Sequence, residues 1–151
     1  MIIIKLTKDN LDLLDAVAVI FNQYRIFYGK NSDLDAAKKF LHERITNKES
    51  QIFIAKDNKK IVGFMQLYQG FSSVGLRKIC ILNDLYIDEN YRKICIGKSL
   101  IREAKNSALR KNITKITLTT AKINKQAQKL YESEGYKKEE EFFVYNLELN
   151  Q

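Results

Sequence analysis

Leu82-Asn83-Asp84-Leu85-Tyr86-Ile87-Asp88-Glu89-Asn90-Tyr91-Arg92-Lys93-Ile94-Cys95-Ile96-Gly97-Lys98-Ser99-Leu100 is the stretch whose reading decides the fold. Its first residues are mostly apolar, which predicts a buried strand ending at Ile87. A polar turn follows. Then come Arg92 to Lys98 and an apolar helical pattern. A strand, a tight loop and a helix N-terminus in that order make an anion site. The first helical N–H groups have no partner inside the helix, and the helix dipole adds positive potential there. A diphosphate can accept hydrogen bonds from those groups. Arg92, Lys93 and Lys98 add formal charge around the same spot.

Working outward, Ile2 to Leu6 reads as a first strand. Thr7 to Asn10 offers helix caps, and an apolar helical pattern runs from Leu11 to Tyr28. Gly29 to Asn31 breaks it. Ser32 and Asp35 have capping-box spacing, opening a helix that carries Ala36, Ala37, Phe40, Leu41 and Ile45. Gln51 to Lys56 and Ile61 to Tyr68 read as a strand hairpin around Asp57–Lys60. Gly70 to Gly75 reads as a mobile loop, and Arg77 to Ile87 as a long strand. After Gly97, the residues Leu100, Ile101, Ala104 and Ala108 form a helical stripe. Ile113 to Thr119 is another strand. Asn124 caps a helix that Gly135 terminates in a left-handed conformation. Tyr136 to Leu149 supplies one or two more strands.

The chain has 151 residues, 45% of them hydrophobic. That length and the uniform composition predict one domain, residues 1–151, with a real core and no extended disorder. No apolar run is long enough to cross a bilayer, and the N-terminus lacks a signal-peptide layout. Cys80 and Cys95 are too few for a disulfide framework, so two reduced thiols in a cytoplasmic protein are expected. The net charge of +8 fits a phosphorylated ligand as well as a solvated surface. No Cys/His cluster has metal-ligand spacing. His42, the only histidine, is assigned no role.

The Arg92-x-x-Cys95-x-Gly97 loop resembles the signature of the GNAT superfamily of N-acetyltransferases, which reads Arg/Gln-x-x-Gly-x-Gly/Ala. Cys95 stands where the family usually has glycine. Asn124-Lys125-Gln126-Ala127-Gln128-Lys129-Leu130-Tyr131-Glu132-Ser133-Glu134-Gly135-Tyr136 is similar to a second family segment, Asn-x-x-Ala-x-x-Leu-Tyr-x-x-x-Gly-Phe/Tyr. The order of elements matches the family over essentially the whole chain. The resemblance implies an α+β, mixed α/β fold with a central, mostly antiparallel sheet, two splayed parallel strands and helices on both faces. It implies acetyl-CoA as the acetyl donor. The main chain of Leu85, Tyr86 and Ile87 would pair with the pantetheine arm. The loop Arg92, Lys93, Ile94, Cys95, Ile96, Gly97 and Lys98 would hold the diphosphate. Asn124 and Tyr131 would contact the cofactor from the second segment.

A narrower resemblance, to the histone-and-polyamine-type branch, rests on Tyr24–Tyr28, Ser32-Asp33, Gln66–Ser73 and Leu82–Leu85, with Gln69-Gly70 where Pro-Ser is expected. Acetyl transfer needs an amine that has lost its proton, a polarised thioester carbonyl and a protonated leaving sulfur. Tyr131 is the candidate acid, because a phenol donates at neutral pH; packing in the core is the other reading. Asp84 is the candidate base or amine-orienting residue, against a purely structural carboxylate. Polyamine-type relatives often place two acids here, where this chain has Asn83 and Asp84. Tyr24, Tyr28 and Tyr68, with Phe27, are candidates for an aromatic amine pocket, or are core.

The function this implies is N-acetylation of a small primary amine, such as a polyamine, a diamine or an amino-acid-like amine. The alternatives are acetylation of a protein lysine or N-terminus, and a non-catalytic CoA-binding or basic nucleic-acid-binding module. The expected partners are acetyl-CoA and the amine, with a homodimer permitted and neither nucleic acid nor membrane. Cys95 carries a further expectation. If its backbone is left-handed, strain of roughly 1–2 kcal/mol weakens cofactor binding, and glycine there tightens it. If its backbone is right-handed, glycine changes nothing or loosens the loop.

Overall fold

The computed structural model describes residues 1–92 and 94–150. The expected roles of Lys93 fall outside the described residues. Contacts divide the chain into two compact units, Met1–Thr119 and Thr120–Gln151.

The first unit is built on a five-stranded sheet in the order β1 (Ile2–Leu6), β2 (Ser50–Asp57), β3 (Lys60–Ser72), β4 (Arg77–Ile87) and β5 (Ile116–Thr117). The first three pairings are antiparallel and β4–β5 is parallel. α1 (Leu14–Phe27) and α2 (Leu34–Thr46) cover one face. Their buried Leu14, Val17, Phe21, Leu41 and Ile45 join Ile52, Ile54 and Phe64 of the sheet in one core. α3 (Ile96–Arg110) buries Leu100, Ile101, Ala104 and Ala108, the stripe read from the sequence. Its Ser107 hydroxyl donates to Gln51 Oε1 at 3.1 Å, on the strand face of opposite parity to Ile52 and Ile54. Helices therefore lie on both faces of a mixed sheet.

Several local expectations shift. Leu11–Leu13 belongs to a 3-10 segment, Lys8–Leu13, that precedes α1. The α2 cap is Asp33, whose Oδ1 accepts from Ala36 N at 3.0 Å, and not Ser32. The buried Asn22 explains this: its side-chain amide donates to Ser32 Oγ, and its Oδ1 accepts from Asp33 N. Ser32 is thereby held to α1, which leaves the carboxylate to cap. Gly70–Gly75 is not a loop. β3 continues to Ser72, with Gly70 opposite Ile79 and Ser72 opposite Arg77, so only 73–76 form the turn. β5 is two residues long, where Ile113 to Thr119 was expected.

The second unit contains α4 (Lys125–Ser133). Asn124 Oδ1 caps it by accepting from Ala127 N at 3.1 Å. Gly135 ends it at φ +88°, a conformation that glycine adopts without the Cβ penalty. The strands expected within Tyr136–Leu149 are not formed. Phe143, Tyr145, Leu147 and Leu149 do alternate as a half-buried strand would, yet all four are exposed. A strand needs a neighbouring edge to satisfy its backbone, and the described residues of this unit offer none.

Candidate active site

Two features of β4 set up the site. The first is a bulge. Gln66 pairs with Asp84 and Leu67 pairs with Leu82, so Asn83 is the extra residue. A bulge bends the strand and re-aims its side chains. Here it turns Asp84 onto the α1–α2 face, opposite Gln66. The second is a free edge. β5 pairs with β4 only at Cys80–Ile116 and Ile81–Thr117. Beyond Ile81 the strands part, and among the described residues the β4 backbone from Leu82 to Ile87 has no strand partner on that side. On its other side β4 is held by β3. Gly63 makes that close approach possible: a Cβ there would lie 2.6 Å from Ile87 Cδ1 and 3.0 Å from Tyr86 O.

Asp84 is 6% exposed. Its Oδ2 accepts from Gln66 Nε2 at 2.8 Å and its Oδ1 from Asn83 Nδ2 at 3.1 Å. Gln66 is fully buried, and its Oε1 accepts from the Ser50 hydroxyl at 2.7 Å. The carboxylate is thus fixed by neutral donors. A buried charge held only by neutral groups keeps a strong attraction for a cation.

Asp84 and Asn83 open into a cavity of about 310 Å³ between α1, α2 and the β3–β4 bulge. Phe21, Tyr24, Phe40 and Tyr68 supply aromatic walls, with Ala36, Ala37 and Arg25 completing them. Of the residues expected to bind an amine, the cavity gathers Tyr24, Tyr68, Asn83 and Asp84. Tyr28 lies outside it, edge-on to Tyr24 at 5.0 Å. Burial pushes the Tyr68 phenol up, and the neighbouring Asp84 adds to the rise, so Tyr68 faces the cavity as a neutral hydroxyl.

The loop after β4 is anchored at both ends. Asp88 N–H donates to Val62 O at 2.9 Å. The Asp88 carboxylate accepts from Asn90 N–H, from the Asn90 side chain and from Lys60 Nζ at 3.0–3.1 Å. Arg92 donates from Nε to Ile87 O at 3.1 Å and lies 5.5 Å from the Tyr86 ring and 5.7 Å from the Phe27 ring. Its guanidinium therefore pins the loop to the end of β4 and to α1, in addition to carrying charge. Of the three strand residues expected to pair with a cofactor arm, Ile87 has its carbonyl engaged by this contact.

Cys95 is the N-cap of α3, at φ +62° and ψ 12°. The left-handed alternative is the one found. The side chain is exposed and makes no capping hydrogen bond, while the Cys95 carbonyl accepts from Ser99 N–H at 3.0 Å. Ile94 is exposed, Ile96 is buried, and Gly97 and Lys98 lie in the first turn of α3. A helix start, a left-handed residue before it and a free strand edge suit a diphosphate and an extended amide-bearing arm. The residues present thus fit a CoA ester. In the second unit, Asn124 uses Oδ1 as the α4 cap, and Tyr131 stands on α4 with its ring 5.9 Å from Tyr136.

Gln66 and Arg25 are among the site residues to which the sequence reading assigned no role, as are Phe21 and Phe40. Gln66 had a signal, a lone amide inside the apolar run Phe64-Met65-Gln66-Leu67-Tyr68, because a buried amide must have partners. Arg25 had none apart from α1 being seated on the sheet.

The acetyltransferase (GNAT) family model matches residues 15–136. A Bacillus subtilis protein, the uncharacterized N-acetyltransferase YhfO, is 43% identical over 132 residues, 87% of this chain and 89% of that one. A probable acetyltransferase of Haemophilus influenzae is 29% identical, covering 97% of this chain and 99% of its own. The crystal structure of a probable acetyltransferase superposes with a TM-score of 0.90 at 37% identity, over 100% of this chain and 99% of that one. An aminoglycoside acetyltransferase from a soil metagenome, in complex with sisomicin, shares the fold at a TM-score of 0.83 and 21% identity, over 99% and 96% of the two chains. A free parallel-strand edge and an anion-suited helix start thus occur in a chain that belongs to the GNAT family and is an N-acetyltransferase of that type.

Proposed function

We propose that this enzyme transfers an acetyl group from acetyl-CoA to the primary amine of a small molecule bound in the cavity beside Asp84. The observation that carries the reading is the bulge, which sets a buried carboxylate at the end of an aromatic-walled cavity, on the strand whose free edge suits the cofactor arm. Acetyl-CoA supplies the acetyl group as a thioester: the amine nitrogen gains the acetyl carbon and the C–S bond breaks, while the ammonium nitrogen loses two of its three protons, one balanced by the proton the sulfur gains and the other released to solvent. Asp84 holds the incoming ammonium and takes up a proton from it, directly or through water. Gln66 and Asn83 keep the carboxylate oriented, which is the preorganisation that positioning residues provide. Tyr131 donates a proton to the leaving sulfur. The main chain of Leu85 and Tyr86 and the loop from Arg92 to Lys98 hold the cosubstrate, with Asn124 on its arm.

The family match runs through both compact units, which supports their working as one acetyltransferase domain. Two free cysteines suit a cytoplasmic setting. The cavity is at the small end of ligand sites, which favours a small amine over a peptide segment. Acetyl-CoA should raise the melting temperature, since a ligand at a hundred times its Kd stabilises by about 2.7 kcal/mol. A panel of primary amines, with acetylated product read by mass spectrometry, then tests the reaction. No melting shift with saturating acetyl-CoA, or no product with any small amine, refutes the reading.

A further inference from the structure

Among the described residues, two charged side chains on the wall of the cavity lack a counter-ion. Asp84 accepts only from the neutral amides of Gln66 and Asn83, and no cation among the described residues pairs with it. Arg25 stands one turn after Phe21 on α1 and lines the same cavity. Its Nη1 donates to Asn22 Oδ1 and to Asn31 O, both long at 3.4 Å, and no carboxylate among the described residues pairs with it. Arg44 makes the contrast. It lies over the Phe40 ring, where Glu49 sits 2.6 Å from its Nε, at an angle that makes no hydrogen bond, and Glu43 sits 3.4 Å from Nη2. The charge of Arg44 is compensated inside the protein, and that of Arg25 has no carboxylate partner among the described residues.

We propose that the acceptor is a zwitterionic small amine, whose ammonium is held at Asp84 and whose carboxylate is held by Arg25. The inference rests on the reading of this cavity as the amine site, and it narrows that site to amino-acid-like substrates. The guanidinium fork matches a carboxylate, and charge-assisted pairs are the stronger hydrogen bonds. Phe21, Tyr24 and Phe40 wall the cavity with apolar surface, which suits a short methylene spacer between the two charges. A volume of about 310 Å³ lies at the lower end of small-molecule sites, enough for one amino-acid-sized molecule. A diamine or polyamine fits the same walls less well, because its second ammonium is repelled by the unpaired Arg25.

The test is a matched series with acetyl-CoA. For spacers of two to six methylenes, one terminal primary amine is combined with a carboxylate, a neutral amide or a second amine at the far end. Product is read by mass spectrometry, since a thiol-reactive dye would also label the exposed Cys95. At the best spacer length, kcat/KM for the carboxylate should exceed that for the amide by about tenfold or more, and that for the diamine by a wider margin. In Arg25→Gln the carboxylate-to-amide ratio should fall toward one, while Arg25→Lys should keep part of it. A ratio within one preparation is insensitive to the fraction of enzyme folded. Equal or better use of the diamine, or a carboxylate preference that survives Arg25→Gln, overturns the inference and leaves the small-amine reading standing. Failure of the whole series and of the wider amine panel overturns the parent reading itself.

Discussion

Replacing Cys95 with glycine isolates the sharpest departure from the family loop. At φ +62° a side chain bearing a Cβ costs roughly 1–2 kcal/mol. Glycine removes that cost but gives the unfolded chain more freedom, which returns about 0.4–1 kcal/mol. The net expectation is stabilisation of about 0.5–1 kcal/mol, or a Tm increase of roughly 1–4 °C for a chain of this size. Cys95→Ala is the control, because it removes the same thiol and keeps the Cβ. In right-handed helical backbone glycine is worse than alanine by about 0.5–1 kcal/mol; in left-handed backbone the order reverses. Thermal and urea unfolding of the three proteins should therefore rank Cys95→Gly above Cys95→Ala. The opposite rank refutes a left-handed Cys95. Strain in the folded backbone weighs on the folding equilibrium. It weighs on acetyl-CoA affinity only as far as this backbone moves on binding, so the tightening expected from sequence should be smaller than the gain in stability. Calorimetric titration of the same proteins measures it.

Tyr131→Phe should lower kcat by about 10²–10⁴-fold while leaving the calorimetric Kd for acetyl-CoA nearly unchanged; an unaltered kcat reduces the phenol to packing. Asp84→Asn should abolish turnover or move its pH–rate profile toward higher pH, and a profile superimposable on wild type removes Asp84 from the chemistry. Asp88 gives a stability prediction. Burial opposes its ionisation, but the Asn90 N–H, Lys60 and the Asn90 side chain outweigh this and hold its carboxyl below the usual range. Its contribution should be fully present above the unfolded value of about 3.9 and lost as pH falls through the folded value. Asp88→Asn should thus be less stable than wild type at neutral pH, with the gap closing in acid; a gap independent of pH in urea titrations contradicts this assignment.

What the sequence made legible follows from which signals are local. Strand β4 runs from Arg77 to Ile87 as expected, and α3 buries its expected stripe, because period and length are written in consecutive residues. Asn124 and Gly135 bound α4 because caps act over three or four residues. The misses are tertiary. Ser32 lost the α2 cap to Asp33 because Asn22, ten positions away, holds it. Gly70–Gly75 read as a loop because glycine and serine weaken strand propensity, yet β4 supplied a partner strand across it. Arg25 faces the cavity only because α1 is seated as it is. The most consequential case is the register of β4. Ile81 lies opposite Tyr68, so strict alternation would give Asn83 the same face and turn Asp84 away. The bulge at Asn83 switches the parity, so that Asp84 lies opposite Gln66 and becomes buried while Asn83 is exposed. Asn83 and Asp84 are therefore two neighbouring positions that are not equivalent. One places a carboxylate against the cavity and the other donates to it. An acid at position 83 would add a like charge beside Asp84 where an amide now supports it. An amide at position 83 and Arg25, which has no carboxylate partner among the described residues, act in the same direction, and both support the proposed acceptor with one positive end.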